Sequence, residues 1–162
     1  MSDNDDVKLI RTPVRLDYQI TAGPTQARFL EGIASGRILG ERCPSCTKVL
    51  VPPRGVCPAC GVLTDEVVPL RDAGILTTFC VINLPFEGQM LTPPYVAGSI
   101  LLDGADLPIF HLVGGIGPAE VRMGLRVRAV WAEELKPTLA SIRYFEPTGE
   151  PDAPFERYAE HL

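Results

Sequence analysis

Two Cys-x-x-Cys pairs constrain the fold of this chain more than any other feature of its sequence. The first pair is Cys43-Pro-Ser-Cys46 and the second is Cys57-Pro-Ala-Cys60, with ten residues between them. Four soft thiolates at this spacing predict one tetrahedral, structural zinc ion, because a complete set of sulfur ligands leaves no position open for water or substrate. Two disulfides or a redox-active Cys-x-x-Cys are the alternatives, and the gap is shorter than in the usual ribbon template.

Composition limits the other possibilities. The chain has 162 residues, of which 46% are hydrophobic, enough for one compact domain and a small appended module. No stretch approaches the roughly 20 apolar residues of a membrane span, and the N-terminal residues lack the basic region of a signal peptide. We therefore expect a cytoplasmic protein without membrane contact, in a reducing compartment where metal-bound cysteines are more common than disulfides.

The segment around the cysteines is basic, although the whole chain has a net charge of -5. Residues 37–60 contain four basic side chains and one acidic side chain: Arg37, Arg42, Lys48, Arg54 and Glu41. These cations either offset the negative charge of a zinc ion with four thiolates, or meet a phosphate ligand or an acidic partner surface. The negative net charge argues against general affinity for nucleic acid.

A short helix is predicted before the cysteines, over residues 25–35. Phe29, Leu30 and Ile33 fall on one face of this helix, which packs either on the core or on another protein. The chain divides into four predicted parts: an N-terminal extension at 1–23, the helix plus zinc ribbon at 24–64, a barrel at 65–146 and a tail at 147–162.

Beyond Cys60, short alternating segments separated by Gly and Pro predict strands at 66–71, 74–82, 95–102, 107–113, 125–131 and 139–145. This pattern predicts a mainly β protein in which a small OB-like barrel follows the helix and a rubredoxin-like ribbon. Residues 84–94 form the longest interruption and are predicted to be a surface loop. The Pro-rich tail is expected to wrap another surface or to stay mobile.

Groups that could perform catalysis are scarce, and we predict no catalytic residue. His111 lies in a predicted strand, where a hydrogen-bonded barrel residue is expected, and His161 is expected to be solvated. Cys80 lies in an apolar strand and is predicted to be buried and inert. Asp103 and Asp106 flank a turn glycine and are expected to bond the local backbone.

Two classes of function remain after these exclusions. The first is a nucleic-acid module, and the second is a non-catalytic subunit that completes the active site of another protein. The acidic charge counts against the first class, as does the lack of Lys or Arg among the barrel aromatics, which are Phe79, Tyr95 and Trp131. Arg126 and Arg128 come nearest to such a pattern, and we assign them to a solvated strand face.

Several segments in order resemble one known family. They are Arg-Phe-Leu-Glu-Gly in the helix, the two cysteine pairs, Pro52-Pro53-Arg54 between them, Pro93-Pro94-Tyr95 and Gly124-Leu125-Arg126-Val127. Over residues 24–146 the chain is similar to the zinc-ribbon OB-fold proteins associated with acyl-CoA metabolism, the family known as domain of unknown function thirty-five. The ribbon is the most specific part of this resemblance.

The resemblance implies a hetero-oligomer with a thiolase-like protein that supplies the reactive cysteine and histidines. The complex would be a thiolase, an acyltransferase or a sterol-side-chain aldolase of lipid or steroid catabolism, with acyl-CoA at a shared site. Arg54 would contact a CoA phosphate or a partner carboxylate, or it would brace the ribbon loop. Phe86 and Tyr95 belong to a loop that either lines an acyl or pantetheine channel or packs over the open end of the barrel.

Overall fold

One helix and eight strands follow one another in the residues that the computed structural model describes, which are 16, 17 and 19–162. Most of the predicted N-terminal extension lies outside these residues. The bounds are α1 Pro24–Ala34, β1 Ile38–Arg42, β2 Val49–Leu50, β3 Glu66–Leu70, β4 Ala73–Ile82, β5 Tyr95–Leu102, β6 Ile109–Val113, β7 Arg126–Trp131 and β8 Ile142–Pro147. Short 3₁₀ turns lie at Leu139–Ser141, Phe155–Arg157 and Ala159–His161.

Helix α1 lies within one residue of its predicted bounds at each end. Pro24 occupies the first turn, where the missing N–H costs no hydrogen bond. The helix ends because Gly36 adopts a φ of +67°, which lets the Arg37 amide donate to the Gly32 carbonyl at 2.9 Å. Phe29 and Ile33 are buried in the core, so the apolar face of α1 packs within this chain.

The ribbon contains a three-stranded antiparallel sheet in the order β2-β1-β3. Strand β3 was predicted among the segments after the second cysteine pair, but it pairs with β1 along its whole length, from Ile38–Leu70 to Arg42–Glu66. Pro69 has no N–H to donate and therefore suits a strand with one unpaired edge. The sheet of the ribbon thus includes residues on both sides of the cysteine pairs.

The five later strands form a closed barrel in the order β4-β5-β6-β8-β7, which confirms the predicted mainly β, OB-like fold. Gly74 lies where β4 pairs with both β5 and β7, and a Cβ atom there would collide with the carbonyl oxygen of Leu101. The contact between β6 and β8 is short, since only Val113 and Phe145 pair. Strand β8 begins later than predicted because Leu139–Ser141 forms a 3₁₀ turn capped by Thr138.

Helix, ribbon and barrel share one hydrophobic core. Its buried members include Phe29, Ile33, Ile38 and Val51 from the first half of the chain, and Leu76, Ile100, Val127 and Phe145 from the barrel. The helix and the ribbon are therefore packed against the barrel through apolar side chains and do not form a separate unit.

The loop between β5 and β6 joins the barrel to the ribbon. Asp106 accepts a hydrogen bond from the Val49 amide at 2.7 Å, and its own amide donates to the Val49 carbonyl at 2.9 Å. The prediction that Asp106 bonds the local backbone is wrong, because its partner lies 57 positions away in β2. The next residue, Leu107, packs against the cysteine cluster.

The C-terminal tail packs on the barrel of its own chain, so neither predicted alternative describes it. Tyr158 is only 5% exposed and clusters with Ile75, Leu101 and the partly buried Ala153. The Ala153 amide also donates to the Gly124 carbonyl at 2.8 Å.

Candidate metal centre and docking face

The four paired cysteines come together at one point of the ribbon. Their sulfur atoms all lie within 4.8 Å of one another, and the Sγ atoms of Cys46 and Cys57 are 3.8 Å apart. A tetrahedral zinc ion with Zn–S bonds of 2.3 Å requires sulfur atoms about 3.8 Å apart. Cys43 and Cys57 are buried, while Cys46 and Cys60 are partly exposed.

Backbone amides prepare this cluster for a cation. The amides of Ser45 and Cys46 each donate to the Cys43 sulfur at 3.4 Å. The Cys46 amide is the main cause that lowers the pKa of Cys43 to about 7. The Lys48 amide lowers the pKa of Cys46, but the neighbouring thiols and burial together outweigh it and raise that pKa to about 11. Closely spaced thiols lose their protons one after another in this way, and a divalent cation removes the conflict by binding all four thiolates.

The described residues therefore fit the predicted ion. Cys43, Cys46, Cys57 and Cys60 would hold one zinc ion, and four sulfur ligands would leave it no open coordination position. A zinc ion of this kind stabilises the ribbon without acting on a substrate.

A second feature lies on the barrel, where the outer face of β4, β5 and β6 carries no charged side chain. Register places the outward residues in three rows: Thr78, Ser99 and Phe110; Cys80, Ala97 and Leu112; and Ile82 with Tyr95. None of the three strands contains Asp, Glu, Lys or Arg, whereas β7 and β8 contain Arg126, Arg128, Arg143 and Glu146. Phe110 is 66% exposed at one end of this face.

The loop 83–94 extends this face beyond β4 and β5 and contains one charged residue, the exposed Glu87. Its tip exposes Leu84 (79%), Phe86 (65%) and Met90 (98%). The Gln89 amide group donates to the Tyr95 hydroxyl at 3.0 Å, which ties the loop to the first residue of β5. These exposures agree with the surface-loop prediction, and the alternative in which the loop packs over the open end of the barrel stays a prediction. We call the loop and the three rows together the apolar face.

Arg54 lies elsewhere, beside the N-terminus of α1. Arg54 and Pro53 form one wall of a shallow depression of about 440 Å³, and residues 23–26 form the other wall. Among the described residues Arg54 makes no hydrogen bond or ion pair, so no bracing role in the ribbon is visible. The N-terminus of α1 has no side-chain cap, and the first turn contains no acidic residue. The partial positive charge of the helix N-terminus is therefore uncompensated.

The sequence predictions for Cys80 and Arg126 are wrong. Cys80 is exposed, because a bulge between Leu76 and Thr78 shifts the alternation of β4 and places Phe79 and Val81 inside instead. Arg126 is not on a solvated face, since its side chain is only 14% exposed.

The Arg126 guanidinium bonds both oxygens of Asp103, at 2.8 and 2.7 Å, and reaches Glu150 at 3.1 Å. This pairing lowers the pKa of Asp103, mainly through the hydrogen bonds from Arg126. Asp103 therefore bonds a strand 23 positions away, and not its local backbone as predicted. Arg128 is likewise paired, with Glu146 at 2.8 Å.

His111 faces the barrel interior from β6, where its ring meets Phe145 edge to face at 5.7 Å. Burial lowers the pKa of His111, while nearby backbone groups of Leu139 and Leu112 oppose that shift. Within the described part of the chain, no group pairs with the buried Nδ1 atom, so the expectation of a fully bonded histidine is wrong. His111 and Cys80 point to opposite sides of one sheet and cannot act together as base and nucleophile.

Family models match most of the folded part of the chain. Residues 30–66 match the rubredoxin-like zinc ribbon domain of ChsH2, and residues 67–132 match the C-terminal OB-fold domain of ChsH2. The zinc ribbon predicted from the cysteine spacing is thereby confirmed, with one zinc ion as its metal. No helix among the described residues has the length and apolar character needed to cross a membrane.

Two curated proteins are similar in sequence. A "DUF35 domain-containing scaffold protein" from Methanocaldococcus jannaschii is 30% identical over 95 residues, which cover 58% of this chain and 67% of that protein. A "Probable enoyl-CoA hydratase alpha subunit" from Thermomonospora curvata is 29% identical over 107 residues, or 66% of this chain. The chain spans only about a third of the length of the second relative.

Two solved structures share the fold. The Ltp2-ChsH2(DUF35) aldolase has a TM-score of 0.61 and 23% identity, and the match covers 80% of this chain and 98% of that one. A DUF35 protein of unknown function from Sulfolobus solfataricus has a TM-score of 0.60 and 20% identity, with 77% and 86% covered. With its zinc ribbon, its barrel and its DUF35 relatives, the chain belongs to the ChsH2, or DUF35, family of zinc-ribbon OB-fold proteins.

Proposed function

We propose that the chain is a non-catalytic subunit that docks on a thiolase-like protein and helps to form the acyl-CoA site of that protein. The observation that carries this proposal is the apolar face. Uncharged rows on three neighbouring strands, continued by a loop with three exposed large hydrophobic residues, are unusual on a chain with net charge -5. Such a face gains stability when another protein covers it.

The relatives support a role as a partner subunit. One is named as a scaffold protein, another as the alpha subunit of an enoyl-CoA hydratase, and a structural neighbour is the Ltp2-ChsH2(DUF35) aldolase. These names describe assemblies, and one of them acts on CoA thioesters. A docking chain of this family needs no catalytic set of its own, which agrees with the opposite orientations of Cys80 and His111.

Contact with CoA is the finer part of the proposal, and Arg54 is its candidate residue. A guanidinium with no partner among the described residues, next to the uncapped N-terminus of a helix, provides two kinds of donor for a phosphate group. We infer that this depression receives a phosphate of CoA bound to the partner. Phe86 and Tyr95 would contact the partner through the apolar face and not a phosphate.

The nucleic-acid alternative gains little from the structure. Binding of single strands requires aromatic and basic side chains interleaved in one groove. Here the exposed aromatic Phe110 lies on the uncharged face, while Arg126 and Arg128 on β7 are paired with carboxylates.

Co-expression with a thiolase-like protein from the same genome tests the docking proposal. We expect one stable complex in size-exclusion chromatography at micromolar concentration. Leu84→Glu and Phe110→Glu should each weaken the complex at least tenfold, or about 1.4 kcal/mol, because a buried glutamate loses its hydration.

Leu63 provides the matched control, since it is 75% exposed, close to the 79% of Leu84, but lies in the ribbon. Leu63→Glu should leave the affinity within twofold of the original chain. Separate elution of two folded proteins would contradict the proposal, and so would equal effects of the three substitutions.

A further inference from the structure

Strand β4 has one edge that is only partly covered by a neighbouring strand. Its pairing with β7 ends at Ile75, and the Leu76 backbone makes the last bonds to the loop before β7. Its pairing with β5 continues to Ile82 on the other edge. Past the bulge at Leu76 and Thr78, no backbone group in the described part of the chain bonds the β7 side of β4. The segment 78–82 therefore forms an arm with β5 that has an open edge.

Two residues of this arm point their backbone groups away from β5. The Asp103 amide donates to the Ala73 carbonyl at 2.9 Å, which makes these two residues a directly bonded pair. Bonded and non-bonded pairs alternate along an antiparallel ladder and the bulge adds one residue, so the bonded pairs beyond it are 78–99, 80–97 and 82–95. The amides and carbonyls of Phe79 and Val81 therefore face the open edge. Of the described residues, only the Asn83 side chain bonds them, at 3.4 Å from the Val81 carbonyl.

An open edge normally carries residues that keep other strands away. Lysine, proline and inward-facing charges serve this purpose, because an unprotected edge is a template for pairing with another chain. The segment Thr78-Phe79-Cys80-Val81-Ile82 contains none of them and consists mainly of β-branched and aromatic residues. This edge is therefore suited to pair with a further strand.

We propose that the edge pairs with the same edge of a second copy of this chain, in an antiparallel arrangement whose two-fold axis passes beside Cys80. In this register Phe79 of one copy lies opposite Val81 of the other. The bonds formed use every amide and carbonyl that faces the edge in both copies. The free groups are thus self-complementary, which is the requirement for a two-fold interface between identical chains.

Side chains on both faces of the joined sheet agree with this register. On the inner face, Phe79 of each copy lies beside Val81 of the other, and aromatic and β-branched residues form favourable cross-strand pairs. On the outer face Thr78 lies opposite Ile82, and the two Cys80 residues lie opposite each other.

Charge favours a second copy at this edge over other surfaces of the chain. Each copy has a net charge of -5, so two copies repel each other unless they meet through an uncharged surface. Strands β4 and β5 contain no Asp, Glu, Lys or Arg. The open edge is therefore a place where two acidic chains can approach without opposing charges to separate.

This pairing goes beyond the proposed docking function. The new bonds lie in the plane of the sheet, whereas the proposed docking surface is the outer face of the same sheet. The outer rows of both copies would stay free, and the two apolar faces would become parts of one continuous sheet.

Sedimentation equilibrium of the full zinc-loaded chain, without any partner protein, tests the dimer. We expect a reversible monomer–dimer equilibrium below about 200 µM, since a short strand pair is a small interface. Diamide should link the dimer through Cys80, because Cα atoms of an opposite, non-bonded pair lie about 4.5 Å apart, within disulfide range. Cys80→Ser combined with Thr78→Cys places the two thiols roughly 14 Å apart along the strands and should abolish the link.

Two substitutions at the edge and one on the outer face complete the test. Cys80→Lys places like charges opposite each other and should raise the dissociation constant of the dimer at least tenfold. Val81→Pro removes an amide that faces the open edge, keeps the bonds to β5, and should do the same even if Cys80→Lys does not fold. Phe110→Lys is the matched control, since it adds the same charge at an exposed position of β6 and should leave the constant within twofold.

A chain that stays monomeric at about 200 µM would overturn the proposal. So would a disulfide that forms equally well from position 78, since the register would then be wrong. Loss of the dimer in Phe110→Lys but not in Cys80→Lys would also overturn it, and would assign the contact to the two apolar faces. Because no partner protein is present, failure of this test is distinct from failure of the docking proposal.

Discussion

The surroundings of Arg54 favour the proposed contact between this residue and a phosphate group. The ribbon holds Arg54 beside the first turn of α1, which among the described residues has neither an acidic side chain nor a side-chain cap. Two other exposed arginines differ in this respect, since Arg122 is paired with Asp152 at 2.6 Å and Arg42 with Glu66 at 3.1 Å. An unpaired guanidinium retains all its donors for a ligand.

Arg54→Gln in the complex should raise the KM for acyl-CoA about tenfold and leave kcat unchanged, because a phosphate contact is the same in ground state and transition state. Steady-state kinetics measures both constants. Arg37→Gln is the matched control, since Arg37 is also an exposed arginine of the ribbon segment and should leave KM unchanged. Loss of the complex itself would instead assign Arg54 to a carboxylate of the partner.

The sequence predicts some residue environments well and others poorly, for a physical reason. The zinc site depends on four cysteines in one short segment, and their spacing is visible without the fold. The environments of Cys80, Asp106 and Arg126 depend on distant parts of the chain: a strand bulge, the β2 backbone and the Asp103 carboxylate. The uncharged composition of β4, β5 and β6 was visible in the sequence, but only their register shows that the outward residues form one face.

At the scale of elements, local sequence patterns predict where a helix or strand begins and ends, but not always which strands pair. Helix α1 and strand β5 agree with prediction because periodicity and turn residues mark their ends. The pairing of β3 with β1 joins segments separated by the cysteine pairs, and no local signal specifies it. The tail likewise has no periodicity, yet it is fixed by one aromatic anchor, Tyr158, with Phe155 packed edge to face at 5.5 Å.

Tyr158→Ala should lower the free energy of unfolding by about 3 kcal/mol, because it removes a buried aromatic ring from contact with Ile75 and Leu101. Urea denaturation measures this change, and hydrogen exchange of 147–162 should accelerate in the same variant. Leu162→Ala, at an exposed position of the same tail, should change stability by less than about 0.5 kcal/mol. Equal midpoints for the two variants would mean that the tail contributes nothing to the fold.

At the scale of the molecule, the zinc site and the apolar face are coupled through the loop between β5 and β6. Leu107 packs on the cysteine cluster, and Asp106 exchanges two hydrogen bonds with Val49 in the ribbon. The same loop leads directly into β6, which carries Phe110 and His111. A zinc ion held by the four cysteines would therefore support the strand that forms part of the proposed docking surface.

Cys57→Ser should lose the zinc ion and destabilise the barrel as well as the ribbon, since both share one core and the Asp106 contacts. Trp131, the only tryptophan, lies in β7 and reports barrel unfolding by fluorescence. If the loss of zinc lowers the free energy of unfolding of the barrel by about 2 kcal/mol, the midpoint of the Trp131 thermal transition should fall by roughly 4–8 °C. Cys80→Ser removes an exposed thiol outside the cluster and should change neither zinc content nor midpoint. A variant that has lost zinc but retains the original Trp131 transition would show that ribbon and barrel unfold independently, and would remove the metal from any role in supporting the docking face.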